Sequence, residues 1–175
     1  AYFGRGDARG DLGDKQGAIK DLTQAIRINP NQLRSYGARG LFRSKSGDQE
    51  GAKADFQKAL KININSEDYR DYVNRGLARS GLGDKQGAIA DSDQAIRLDP
   101  KYAPAHGNLG YPLWDKKDLV GAEAAYREAI RLDPKYAGAH NGLGIVLRAK
   151  PDLVGAEAAF RDALRFDRKL ATAYY

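Results

Sequence analysis

The sequence predicts an all-α protein, a solenoid of stacked antiparallel helix pairs. Three observations predict it. The block GDKQGAI at 13–19 returns letter for letter at 83–89. Helix-ending residues Pro30, Ile64, Pro100, Pro134 and Arg168 recur at spacings of 34, 36, 34 and 34. Small residues keep the same spacing: the Gly-Ala pairs 17–18, 51–52, 87–88, 121–122 and 155–156, then Gly6, Gly40, Gly76, Gly110 and Gly144, then Ala25, Ala59, Ala95, Ala129 and Ala163. Self-similarity at such a period marks a repeat array, because one unit cannot bury its apolar face alone.

Each repeat reads as helix A, turn, helix B, turn. Gly13-Asp14 breaks the first helix, and Asp14 is placed to N-cap the second. Ala18, Leu22 and Ala25 then share one helical face, and Asn29-Pro30 stops the run, since proline disfavours helix in the residue before it. Asp48, Asp84, Asp118 and Asp152 repeat the capping position. Helix A of the second repeat spans Leu33–Lys45, with Tyr36, Gly40 and Arg43 on one side. The chain divides as one solenoid domain over 1–175, with repeats at approximately 1–32, 33–66, 69–102, 103–136 and 137–170, and with 171–175 opening a further helix. Gly17, Gly51, Gly87, Gly121 and Gly155 lie in the first turn of helix B, where glycine costs up to about 1 kcal/mol relative to alanine. Their recurrence predicts a close helix-to-helix approach.

A column order of aromatic, Gly, Ala, aromatic and Ala carries a family likeness. Tyr36, Gly40, Ala52, Phe56 and Ala59 show it, as do His140, Leu143-Gly144, Ala156, Phe160 and Ala163. In that order and at that period the chain resembles the tetratricopeptide repeat across essentially its whole length. The resemblance implies a right-handed superhelix whose concave face is lined by helix A and binds peptides or partner helices.

The array has two dialects. Repeats one to three carry Arg5, Arg39 and Arg75 in helix A and Asp21, Asp55 and Asp91 in helix B; repeats four and five carry Leu109 and Leu143 with Ala125 and Ala159. The concerted switch predicts an Arg–Asp pair between helices A and B, replaced later by apolar contact. Arg9, Arg43 and Arg79 become Leu113 and Leu147. Three irregularities stand out. Two extra residues, about Glu67-Asp68, lengthen the turn before repeat three. Ser92 replaces a large apolar side chain and predicts looser packing. Pro112 lies inside a helix beside Tyr111 and the lone tryptophan, Trp114, and predicts a kink near Asn108.

Composition narrows function. Cysteine is absent, so thiolate metal sites and disulfides are excluded, and no apolar run reaches the roughly 18 residues of a membrane span. A net charge of +6 is a mild bias, without the dense basic run of a nucleic-acid arm. No phosphate loop, metal-ligand spacing or nucleophile elbow appears. His106 and His140 occupy the aromatic column and read as packing residues. The expectation is a non-catalytic protein-interaction module, a scaffold or assembly factor without cofactor, metal, nucleic-acid partner or membrane insertion, in a compartment left open with the cytoplasm favoured. The alternatives are a spacer section of a longer multi-domain protein, or an array that self-associates through its helical ends, where Leu164, Phe166, Tyr174 and Tyr175 supply apolar area.

The resemblance places the partner site on helix A. Leu41, Leu77, Tyr111 and Ile145 form its apolar column, with Phe3 and Val73 flanking. Arg34, Arg70, Asn74, Asn108, Asn141, Lys45, Trp114 and Arg148 supply polar and aromatic contacts: amides bond a peptide backbone and arginine takes acids. The carboxylate clamp of the family's chaperone-binding members is missing, since Asp7 and Phe3 hold two of its places.

Overall fold

The structure, a computed structural model, describes residues 1–64 and 67–167. Ten helices fill them: α1 (Tyr2–Asp11), α2 (Lys15–Ile28), α3 (Leu33–Lys45), α4 (Gln49–Lys61), α5 (Tyr69–Gly81), α6 (Lys85–Leu98), α7 (Ala103–Asp115), α8 (Leu119–Leu132), α9 (Ala137–Ala149) and α10 (Leu153–Phe166). Odd helices are the A members and even helices the B members. Arg168 and the expected helix start at 171–175, with Tyr174 and Tyr175, lie outside the described residues. The chain forms two compact units, 1–91 and 92 onward, divided inside α6.

Each B helix starts on its capping aspartate. The Asp14, Asp48, Asp84, Asp118 and Asp152 carboxylates accept the N–H of the glycine three residues on at 2.8–2.9 Å. This arrangement corrects the reason for those glycines. A Cβ on Gly121 would stand 2.5 Å from Asp118 Oδ2, and on Gly155 it would likewise meet Asp152. The glycine makes room first for the cap carboxylate; only at Gly87 would the added carbon also meet the neighbouring helix, 2.7 Å from Arg79 Cδ.

The A-helix glycines are the ones that admit a neighbour. A Cβ on Gly40 would lie 2.5 Å from Phe56 Cε1, on Gly110 2.6 Å from Tyr126 Cζ, and on Gly144 2.6 Å from Phe160 Cε1. Ring against bare backbone closes these three hairpins, and Leu22 takes the ring's place against Gly6. In the first unit two clusters of buried apolar residues form, one of Ala18, Leu22, Ala38 and Phe42, the other of Leu33, Tyr36, Ala52, Phe56, Ala59 and Ala78. In the second they gather around Tyr126, Leu143, Val146 and Leu147. Burial raises the Tyr126 phenol above its usual value near 10. The unfolded chain then releases that proton first, so this stability is present below about pH 10 and is lost as pH rises past it. Tyr126→Phe is expected to shift alkaline unfolding to higher pH; an unchanged midpoint by circular dichroism overturns this.

Two of the irregular positions are buried. Ser92 is 2% exposed. α7 runs as one helix through the fully buried Pro112 to Asp115. The turn after each A helix needs a left-handed residue: Gly13, Gly47 and Gly83 have φ of 81°, 89° and 84°. Lys117 takes that position at φ 68°. A side chain there costs roughly 1–2 kcal/mol, part of which glycine's own entropy offsets. Lys117→Gly is expected to raise the second unit's stability by about 0.5–1 kcal/mol, read as the melting temperature; a fall overturns the strain argument.

Candidate functional site

In the first unit, charge is used to hold the fold. Asp21, Asp55 and Asp91 are buried at 1–3% exposure. The predicted partners are in place: Arg5 reaches Asp21 at 2.6 Å, Arg39 reaches Asp55 at 2.6 Å and Arg75 reaches Asp91 at 2.5 Å. The structure adds the second arginine. Arg9, Arg43 and Arg79 meet the same carboxylates at 3.0, 2.9 and 3.0 Å, and also approach the capping Asp14, Asp48 and Asp84. Each aspartate therefore accepts two guanidiniums. The Arg5 hydrogen bond holds the Asp21 carboxyl below its ordinary range, against the opposing effect of burial. The i, i+4 spacing of the arginine pairs was the available signal for this lattice, since it puts both on one helix face.

The inserted residues carry a similar bond. Asp68 accepts the Arg70 N–H and so caps α5. Arg34 reaches both Asp68 and Asp71, while Arg70 pairs with Asp68 at 2.9 Å. Arg70 first, and Arg34 with it, hold the Asp68 carboxyl well below the usual carboxylate range. That stability is present above the unfolded value near 4 and is lost as pH falls toward the lower folded one. Arg34 and Arg70, expected as ligand contacts, are thus already neutralised.

The other helix-A residues divide by unit. In the first, Leu41 and Leu77 are half-buried and stand outside the core clusters, whereas Val73, expected to flank them, is buried at 6% exposure. Phe3 packs against the first core cluster. Asn74 donates to the Arg70 carbonyl at 2.9 Å, and its carbonyl oxygen comes within 3.1 Å of a Cβ placed on Gly37, so it lines the contact of α3 with α5. Lys45 is exposed, and its carbonyl accepts from Lys15 at 3.0 Å.

In the second unit Tyr111 is 51% exposed, and its ring lies 6.0 Å from that of Trp114. Trp114 packs partly on the core cluster, and Lys117 sits 5.6 Å over its ring. The turn lysine with positive φ thus places its ammonium on the tryptophan. Asn108, Asn141 and Ile145 are half-buried. Arg148 is exposed, 5.8 Å over the Phe160 ring, at the position of Trp114 one repeat on. His106 and His140 donate from Nε2 to the carbonyls of Pro100 and Pro134 at 3.0 and 2.9 Å, tying helix A to the turn before it, as packing residues do. Among the described residues no helix is long and apolar enough to cross a membrane.

The family comparisons agree with the repeat register. A tetratricopeptide repeat model matches residues 73–137 and 121–171, and a second model of the same repeat matches 1–32 and 33–63. No curated protein matches the chain. Among solved structures it is similar to MamA, at 25% identity over 95% of this chain and 96% of that one, with a TM-score of 0.55. It is also similar to TTC0263, a thermophilic tetratricopeptide repeat protein of Thermus thermophilus, at 20% identity over 99% and 95%, with a TM-score of 0.75. YrrB, described as a tetratricopeptide repeat protein with an unusual peptide-binding site, aligns at 17% identity over 95% and 85%, with a TM-score of 0.55.

Proposed function

We propose that this chain, which belongs to the tetratricopeptide repeat family, is a non-catalytic interaction module that binds an extended peptide or partner helix on its A helices. The supporting observation is the pair Tyr111 and Ile145. Both are apolar or aromatic, both lie on A helices, and neither belongs to the core cluster that surrounds them. Aromatic residues and arginine carry a large share of interface energy, which directs attention to Tyr111, Trp114 and Arg148. The amides of Asn108 and Asn141 stand beside them, suited to a peptide backbone. YrrB's printed description, a peptide-binding site in a protein of this fold, is consistent with the reading. So is the positive φ of Lys117 beside Trp114, since local cost at a site is what function can override.

The test is a selection from a random peptide library, with the best binder mapped by backbone chemical shifts. Shifts are expected on the A helices α7 and α9, and Tyr111→Ser is expected to weaken binding by about 1–2 kcal/mol with helicity unchanged. Trp114→Ala is expected to lower stability along with affinity, because that ring also packs on the core. Shifts confined to B helices overturn the proposal.

A further inference from the structure

Positive charge is distributed differently in the two units. In the first, arginines lie over aromatic rings at 5.1–5.8 Å: Arg5 on Tyr2, Arg39 on Tyr36, Arg70 on Tyr69 and Arg75 on Tyr72. Each of them also holds an aspartate. In the second, Lys117 over Trp114 and Arg148 over Phe160 have no carboxylate partner among the described residues. The sole acid of α7 and α9, Asp115, has a partner within the protein. The second unit therefore presents two cations, Arg148 on α9 and Lys117 in the turn after α7, with no carboxylate partner among the described residues.

Spacing adds a second constraint. Ile145 and Arg148 are three apart on α9, hence neighbours on one face, about 5–6 Å apart at Cβ. Residues i and i+2 of an extended chain point to the same side, separated by roughly 6.6 Å. An apolar side chain set against Tyr111 and Ile145 would bring an acid two residues away to Arg148. We infer that the occupant of the second unit's A-helix face is an extended peptide carrying an apolar residue and, two positions away in either direction, an aspartate or glutamate side chain. This rests on the peptide-binding reading above and names its ligand chemistry.

The test uses the full chain and fluorescein-labelled 12-residue peptides, all with a blocked C-terminal carboxylate, followed by anisotropy. One places Leu and Glu two apart in a Gly/Ser background, one replaces Glu with Lys, and one sets Leu and Glu adjacent. The first is expected to bind best. Arg148→Gln should weaken it about fivefold, the upper end of what an exposed ion pair contributes, and rising salt should weaken it too. Arg161→Gln, on α10 and paired to Glu157, should leave binding unchanged. If the Lys or adjacent peptide binds as well and Tyr111→Ser still weakens it, the acidic motif is overturned and the peptide site stands. The motif is also overturned if the first peptide binds but ignores Arg148→Gln. If no peptide binds, or binding ignores Tyr111→Ser, the site itself is overturned with it.

Discussion

Asp55→Ala is expected to destabilise the first unit by about 3–5 kcal/mol, the range for breaking a buried ion pair. Asp55 is 3% exposed and takes Arg39 at 2.6 Å and Arg43 at 2.9 Å, so its loss removes the carboxylate that both guanidiniums share. Arg39 is itself only 12% exposed. Arg39→Leu alone should cost less, since Arg43 still neutralises the carboxylate. The triple replacement Arg39→Leu, Arg43→Leu, Asp55→Ala copies Leu109, Leu113 and Ala125 of repeat four and should recover much of the loss. Urea unfolding of the singles, doubles and triple measures the coupling. Additive effects across the three sites, or an Asp55→Ala variant as stable as the parent, would refute the lattice.

Tyr126→Ala should cost a similar amount in the second unit, about 3–5 kcal/mol, as large-to-small aromatic replacements in a core do. Tyr126 is 7% exposed. Its ring fills the space left by glycines on two A helices, Gly110 on α7 and Gly142 on α9, where any Cβ would collide with it. Removing it opens a cavity at both helix contacts. Tyr126→Phe should be nearly neutral at pH 7, because Phe56 and Phe160 fill the same position in repeats two and five. A further expectation distinguishes packing from propensity. Gly110→Ala should destabilise by about 1–3 kcal/mol through overpacking, and by less when combined with Tyr126→Leu. Stabilisation by Gly110→Ala alone, as helix propensity would give, would show that the contact is looser than the structure has it.

Sequence position does not report what a charge already touches. Arg34 and Arg70 have the residue type and helix of ligand contacts, yet Asp68, inside the insertion, and Asp71 take them up. Tyr111, Ile145 and Arg148 have the same kind of signature and are left partly open or exposed. Nothing in their local sequence separates the two cases. The difference arises from which neighbouring helix ends within reach.

The sequence by itself determined the repeat, the positions of the helices and the five capping aspartates, because a 34-residue period, Gly-Asp turns and helix-ending prolines act locally. It also determined the Arg–Asp partners, since an acid and a base that switch together between dialects must meet. Tertiary structure decided the rest. It set two arginines on each buried aspartate, set the helix-B glycines against their caps, buried Val73 and Ser92, and left Lys117 and Arg148 on aromatic rings with no acid partner among the described residues. Burial and charge compensation depend on distances between helices that are far apart along the chain, and a repeat period carries no information about which side chain arrives first.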